Sequence, residues 1–356
     1  MAYVRLLLFP FSLLYGLAVW IRNRWYDWGW AKHTAFDKPV IVVGNLAVGG
    51  TGKSPLTEYL VGLLKKQFRV ATLSRGYGRN TRGFLEVSPE GTAAQYGDEP
   101  LQFKRKFPDS TIAVDENRVR GVRRLLEQGH DVVILDDAYQ HRALQPGFAI
   151  LLFDYRSMRQ PRWLLPAGNY RDGFRERRRA DLMIVTKTPA DATEADKDRI
   201  RRVLATHRQA PVLFSSIGYG SLTPLSANRH PADVLLSRKL TILVVTGIAN
   251  PDPLYTYLAA QVQEVVPLRY PDHHPYTKAT AAAIRARFDR IGNPSKLIVT
   301  TEKDAQRLSA PVLSESLADL PIYVIPIRAQ FDETDERILQ QQVLHYCTAT
   351  AGTNPA

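Results

Sequence analysis

Between residues 47 and 54 the chain reads Ala47-Val48-Gly49-Gly50-Thr51-Gly52-Lys53-Ser54. Glycines let consecutive backbone N–H groups turn toward one point with no Cβ in the way, an arrangement suited to phosphate oxygens. Lys53 can reach β- and γ-phosphates, and Ser54 can offer its hydroxyl to Mg2+. The pattern G-x-x-x-x-G-K-[ST] opens on glycine, and Ala47 stands there instead. The competing reading is a glycine-rich turn that merely starts a helix. Context separates the two. The β-branched run Val40 to Val43 enters the loop, and residues 55–64 leave it with apolar side chains at helical spacing, so the amides would also sit at a helix N-terminus.

Downstream carboxylates supply the complement. The apolar run Val132 to Leu135 ends in Asp136-Asp137. An acid at the end of a strand beside a phosphate loop holds Mg2+ directly or through water; Asp137 could instead cap a turn. Asp98-Glu99 is a second acid pair, able to bind metal or to take a proton from an acceptor hydroxyl. An acid and a proline ahead of Leu101 are equally ordinary capping chemistry. Gln140 and His141 follow the strand-end acids in a loop where nucleotide and acceptor would meet, or serve only turn packing. Arg75 and Tyr77 lie in a loop of glycines and arginines after another strand and are candidate acceptor contacts.

Pro271-Asp272-His273-His274-Pro275-Tyr276 sets two histidines between prolines. With Cys347 the sole cysteine, a zinc cluster lacks ligands. That leaves a histidine acting as base or orienting one, or a plain surface loop. The run Arg175, Arg177, Arg178 and Arg179 is either a solvated face or a cationic wall near phosphates or lipid headgroups. The guanine-reading pattern Asn/Thr-Lys-x-Asp is missing its acid in Thr186-Lys187-Thr188-Pro189 and has it one place early in Thr301-Glu302-Lys303-Asp304. ATP, with Mg2+, is the expected nucleotide.

These groups need strands that end at one edge. Residues 68–74, 131–137, 148–153 and 182–185 read as short apolar strands, with helices from Leu101 and over 118–128. This β–α alternation implies an α/β fold, a phosphate-loop core with a mostly parallel sheet and ligands at the strand C-termini. Residues 218–237, rich in Gly, Ser, Thr, Pro and Asn, read as a connection. Beyond it, strands are expected over 240–246, 262–268, 296–300 and 322–327, and helices over 252–261, 277–288, 303–308 and 332–346. The expected divisions are an anchoring helix at 1–30, the core at 31–217, the connection at 218–237, a smaller C-terminal α/β lobe at 238–347 and a disordered tail at 348–356.

The net charge of +12 over 356 residues favours an anionic partner: nucleic acid, an acidic membrane face or a phosphorylated substrate. Leu6 to Ile21 carries no charge. It is shorter than the roughly 20 residues of a comfortable membrane span, and Pro10 and Gly16 interrupt it. Arg22, Arg24, Trp25, Trp28 and Trp30 follow, as suits a membrane–water interface. An uncleaved hydrophobic helix is expected, either a short span or one lying in the interface, with a buried core helix as the competing reading. No nucleic-acid motif is present, so no nucleic acid is expected, nor is an obligate protein partner. The lone cysteine excludes an internal disulfide and fits a reducing compartment.

Taken in order, the chain resembles the tetraacyldisaccharide 4′-kinases of lipid A biosynthesis. The resemblance rests on Gly44-Asn45-Leu46 with Val48 to Pro55, Ser74 to Gly78, Gly97 to Pro100, Asp136 to His141, Leu164 to Gly168, Thr246 to Pro251, Pro271 to His274 and Thr300 to Ala305. It implies a membrane-bound enzyme at the cytoplasmic face of the inner membrane. That enzyme would move the γ-phosphoryl of ATP to the 4′-hydroxyl of a tetraacyldisaccharide 1-phosphate lying between two lobes. It further implies a catalytic pair that falls on Asp98 and His273. Arg171-Asp172 matches an Arg-Glu pair near the nucleotide, with Asp in place of Glu and therefore a shorter reach. A membrane-associated phosphate-loop ATPase coupled to a protein partner is the alternative reading.

Overall fold

The structure is a computed structural model and describes residues 7–225, 234–272, 274–309, 313 and 316–351. It divides into two compact units. One comprises the described residues up to Ile217 together with those from Ala329; the other is Gly218–Arg328.

The strands, in chain order, are β1 (Val40–Asn45), β2 (Val70–Ser74), β3 (Leu85–Glu86), β4 (Thr111–Val114), β5 (Val132–Asp136), β6 (Phe148–Asp154), β7 (Leu182–Thr186), β8 (Val212–Tyr219), β9 (Thr223–Pro224), β10 (Thr241–Thr246), β11 (Glu264–Arg269), β12 (Lys296–Thr301), β13 (Ile322–Ile325) and β14 (Ile327–Phe331). The larger sheet runs β14-β8-β7-β6-β1-β5-β2-β4-β3. β1 is central, parallel to β5 on one side and to β6 on the other. Parallel pairing continues outward through β2 and β4 and through β7 and β8, and β3 turns antiparallel on β4.

β1 is buried along its whole length, as a central parallel strand covered on both faces requires. Its side chains alternate between two cores. Val40 and Val42 join Val133, Leu135 and Leu151, while Ile41 and Val43 join Leu56, Leu60, Leu64, Leu339 and Val343. Because the strands are parallel, the loops after β1, β2, β5, β6 and β7 leave from one edge, and they carry the phosphate loop, Arg75, Tyr77, Asp137, Gln140, His141 and Arg171.

The closing helix, Glu333–Ala351, corrects the expected division at 238–347. Leu339, Val343 and Cys347, one turn apart, are fully buried in the core beside β1, and the Val40 N–H donates to Tyr346 Oη at 3.0 Å. An apolar stripe announces that a helix is buried but not against which sheet. Residues 348–351 complete this helix, so the expected tail is helical there; 352–356 lie outside the described residues. The expected connection also holds structure: residues 218–219 end β8, and Thr223–Pro224 is β9.

The second unit has its own sheet, β11-β10-β12-β13-β9. It is parallel except for β9 against β13. Leu243 and Val245 face one core, Ile242 and Val244 the other.

The N-terminal helix spans Phe9–Asp27 and buries Ser12, Val19 and Asn23. Leu7, Phe11, Leu13, Leu14, Leu17, Trp20, Ile21 and Trp25 stay exposed. Among the described residues, no helix is long and apolar enough to cross a membrane.

Candidate active site

The loop after β1 closes onto the helix Lys53–Leu64 through Gly52, whose φ of 79° is strained for any residue with a Cβ. Asn45, the last residue of β1, ties this loop together. Its Nδ2 donates to Ala47 O at 2.6 Å and to Thr51 Oγ1 at 2.8 Å. Its carbonyl accepts from Gln140 Nε2 at 2.7 Å, and its Oδ1 accepts from Lys53 Nζ at 3.4 Å and from Arg171. From the end of β7, Thr186 Oγ1 donates to Thr51 O at 2.9 Å. Lys187 donates to Gly50 O and pairs with Asp154 at 2.9 Å.

The strand-end acids sit beside this loop, because Asp136 is in register with Val43 of β1. Asp137 follows with φ 52°. The Arg171 guanidinium forks onto both its oxygens, with Nη1 to Oδ2 at 3.1 Å, and Lys53 Nζ lies 3.8 Å from Oδ1. Burial acts to raise the Asp137 carboxyl, but the Arg171 hydrogen bonds and the Lys53 charge outweigh it and hold the group below its ordinary range. Asp136 goes the other way. Burial, then the charge of Glu99, push it up to about 7 against the pull of Lys53.

Asp136 Oδ1 is buried with no hydrogen-bond partner among the described residues. A small cavity of about 20 Å³ lies against Asp136, lined also by Glu99, Thr57, Ser74 and Phe103. A buried, partnerless carboxylate oxygen next to a second acid fits a hard divalent cation. Among the described residues no set of three or more His, Cys, Asp and Glu converges as a complete metal cage. Mg2+ does not need one, since it takes one or two carboxylates and completes its shell with phosphate and water oxygens. Of the acids, Asp136 and Glu99 line this cavity, while Asp137 is engaged by Arg171 and Lys53.

Asp98 and Glu99 occupy the first turn of the helix Asp98–Lys106, behind Gly97. They therefore sit inside the helix rather than ahead of it as its cap. Gly97 is pressed onto the loop after β2: a Cβ there would lie 2.8 Å from Tyr77 O. Two stretches far apart in sequence, 74–78 and 97–100, thus abut through backbone. Tyr77 itself is 89% exposed. Arg75 is exposed and stands close enough for its charge to act on Arg118 and His141. Burial first, then those two arginines, lower His141 and favour its neutral form. His273 lies outside the described residues.

Sequence reasoning passed over Asn45, Arg118, Asp154, Thr186 and Lys187 as site residues. Arg118 is 5% exposed and feels the charges of Asp136 and Asp137. The available signal was position: Asn45, Asp154 and Thr186 are polar residues at the ends of apolar parallel strands, where ligands gather. Asp172, beside Arg171 in sequence, faces elsewhere. It is fully buried and accepts from Asn23 Nδ2 at 2.8 Å, Gly173 N at 2.9 Å and Arg22 Nη2 at 3.3 Å. Its oxygens hold the N-terminal helix.

The comparisons agree with this geometry. The family described as tetraacyldisaccharide-1-P 4′-kinase matches residues 4–345. The tetraacyldisaccharide 4′-kinase of Bacteroides thetaiotaomicron is 42% identical over 353 residues, covering 95% of this chain and 92% of that protein. That of Phocaeicola vulgatus is 39% identical over 344 residues, with 95% and 94% covered. Among solved structures, LpxK from Aquifex aeolicus in complex with ATP is similar with a TM-score of 0.73 and 28% identity, over 96% of this chain and 99% of that one. A phosphate loop, the paired acids beside it and a match along nearly the whole chain lead to one conclusion: this chain belongs to the tetraacyldisaccharide-1-P 4′-kinase family.

Proposed function

We propose that this kinase transfers the γ-phosphoryl group of ATP to the 4′-hydroxyl of a tetraacyldisaccharide 1-phosphate, the step of lipid A biosynthesis that yields lipid IVA. The observation that carries this reading is the assembly of Asn45, Lys53, Asp137 and Arg171 on the phosphate loop, beside the partnerless oxygen of Asp136.

Phosphoryl transfer asks the protein for positioning and charge neutralisation more than for covalent chemistry. The amides of residues 47–54 would cradle the phosphates, and Lys53 would bridge the β and γ groups. Mg2+, held by Ser54 and the acids Asp136, Asp137 and Glu99, would supply charge neutralisation on the phosphate oxygens. Arg171 and Arg75 would face the equatorial oxygens of the transferred group. Asp98, with His273 as the histidine of the pair, would take the proton of the acceptor hydroxyl as its oxygen attacks the γ-phosphorus; the bond to ADP breaks. Tyr77, Gln140 and His141 would contact the acceptor.

The acceptor carries acyl chains, so the enzyme would meet it at a bilayer surface. We infer attachment at the cytoplasmic side of the inner membrane from the family's place in lipid A synthesis, and the exposed apolar face of Phe9–Asp27 supports a helix lying in the interface. Apolar residues and tryptophans point out, while Arg22 and Arg24 pair with Asp172 and Asp27. Incubation with γ-labelled ATP and the tetraacyldisaccharide 1-phosphate tests the reading. Label on the sugar is expected; vigorous ATP turnover that neither needs nor labels the lipid would point to a coupled ATPase instead.

A further inference from the structure

The segment Leu164 to Asp172 lies between the N-terminal helix and the phosphate loop, and it is bonded to both. On the helix side, Ser12 Oγ donates to Leu164 O at 3.0 Å and accepts from Ala167 N at 2.9 Å. Tyr15 Oη donates to Arg171 O at 2.9 Å. Asn23 and Arg22 bind the Asp172 carboxylate. Gly16 leaves room for the approach, since a Cβ there would fall 2.8 Å from Leu164 Cδ1. On the loop side, Val48 N donates to Asn169 O and Arg171 N to Leu46 O, both at 2.8 Å, and Tyr170 bridges Ala47 antiparallel. From this segment the Arg171 side chain reaches Asp137 and Asn45.

We propose that Tyr15 and Asn23 are positioning residues for Arg171, so that the N-terminal helix forms part of the nucleotide site's scaffold as well as the attachment to lipid. The backbone of Arg171 is gripped on both sides: its N–H by Leu46 and its carbonyl by Tyr15. The next residue is clamped through a fully buried carboxylate by Asn23, itself 5% exposed. Fixing the backbone at 171 and 172 narrows where a guanidinium can point. Without the helix, Asp172 would lose two of its three donors, and Arg171 would lose its carbonyl partner. Buried groups left unsatisfied in this way drive local rearrangement. The inference rests on the reading of Arg171 as a phosphate- and acid-binding group.

The test uses the full chain in detergent micelles that dissolve the acceptor lipid, so that recruitment to a bilayer does not limit the rate. Asn23→Ala and Tyr15→Phe are compared alone and combined with Arg171→Ala, with kcat, ATP KM, vesicle recovery and thermal melting measured for each. Asn23→Ala is expected to lower kcat on the order of tenfold, and Tyr15→Phe less, with a smaller change in ATP KM and unchanged recovery on vesicles. In the Arg171→Ala background neither should lower kcat further, because the group they position is gone. A role in stability alone would give the same loss in both backgrounds and would overturn the proposal. So would full kcat in both single variants alongside an impaired Arg171→Ala enzyme. An unimpaired Arg171→Ala enzyme overturns the underlying reading and this inference together. Should Asn23→Ala fail to fold, Tyr15→Phe, which keeps the ring and removes only the donor, carries the same comparison.

Discussion

The ammonium of Lys187 rests on the carbonyl oxygen of Gly50, and the preceding residue, Thr186, holds the carbonyl of Thr51. In a trans peptide the C=O and N–H point opposite ways. Drawing these carbonyls toward the end of β7 therefore turns the Thr51 and Gly52 amides toward the other side of the loop. The Thr51 amide there donates to Gly49 O at 3.0 Å, a bond that a phosphate oxygen could replace. Lys187→Met keeps the stem and removes the cation. It is expected to weaken ATP binding about tenfold while kcat at saturating ATP changes little, as for an interaction made equally in ground and transition states. Titration with a fluorescent ATP analogue reads this, and unchanged affinity would refute it.

Asp136 gives the metal-free protein a pH signature. Its folded pKa of about 7 lies above the ordinary Asp value of about 3.9. A raised acid contributes stability that is full below the ordinary value and is lost as pH climbs through the folded one. Melting of the metal-free enzyme should accordingly fall between about pH 4 and pH 7 for this group. Asp136→Asn should melt on the order of 5 °C higher than the native chain at pH 8 and show little advantage at pH 4.5. The same substitution should abolish stabilisation by Mg2+ with ATP. Equal melting differences at both pH values would count against the shift.

The proposed acid–histidine pair makes a kinetic prediction. Asp98→Asn and His273→Ala should each lower kcat by about 100-fold or more and leave ATP KM within a few-fold, since neither group is assigned to hold the nucleotide. A defect confined to KM would remove the pair from the mechanism.

The proposed lipid attachment would be separable from catalysis on the exposed face of the N-terminal helix. Leu14 and Leu17 point away from the protein. Leu14→Asp with Leu17→Asp should reduce flotation with anionic vesicles severalfold, as carboxylates enter an apolar, negatively charged surface. ATP binding should be unchanged. Retained flotation would place the membrane contact elsewhere.

Leu339 is fully buried beside the core of β1. Leu339→Ala should cost about 2–4 kcal/mol, read by urea unfolding. If the closing helix were peripheral to the first unit, the loss would be well under 1 kcal/mol.

Much of this was legible in the residue string because it depends on local chemistry. Glycines before Lys53-Ser54, β-branched runs ending in acids, and apolar positions at helical or strand spacing state their own conformations. They gave the α/β class, the phosphate loop and the presence of an N-terminal helix, and they placed Asp136 and Asp137 at the end of a strand. What the string could not carry is which distant segments meet. Leu339, Val343 and Cys347 declare a buried face, but only packing put it under β1 and not in the second unit. Asn45 reads as the last residue of a strand, and only its neighbours make it the knot of the site. Asp172 stands next to Arg171 in sequence, yet opposite orientations send one to the N-terminal helix and the other to Asp137. Burial, hydrogen-bond partners and electrostatic shifts are properties of proximity across long sequence separations, and only the folded chain creates it.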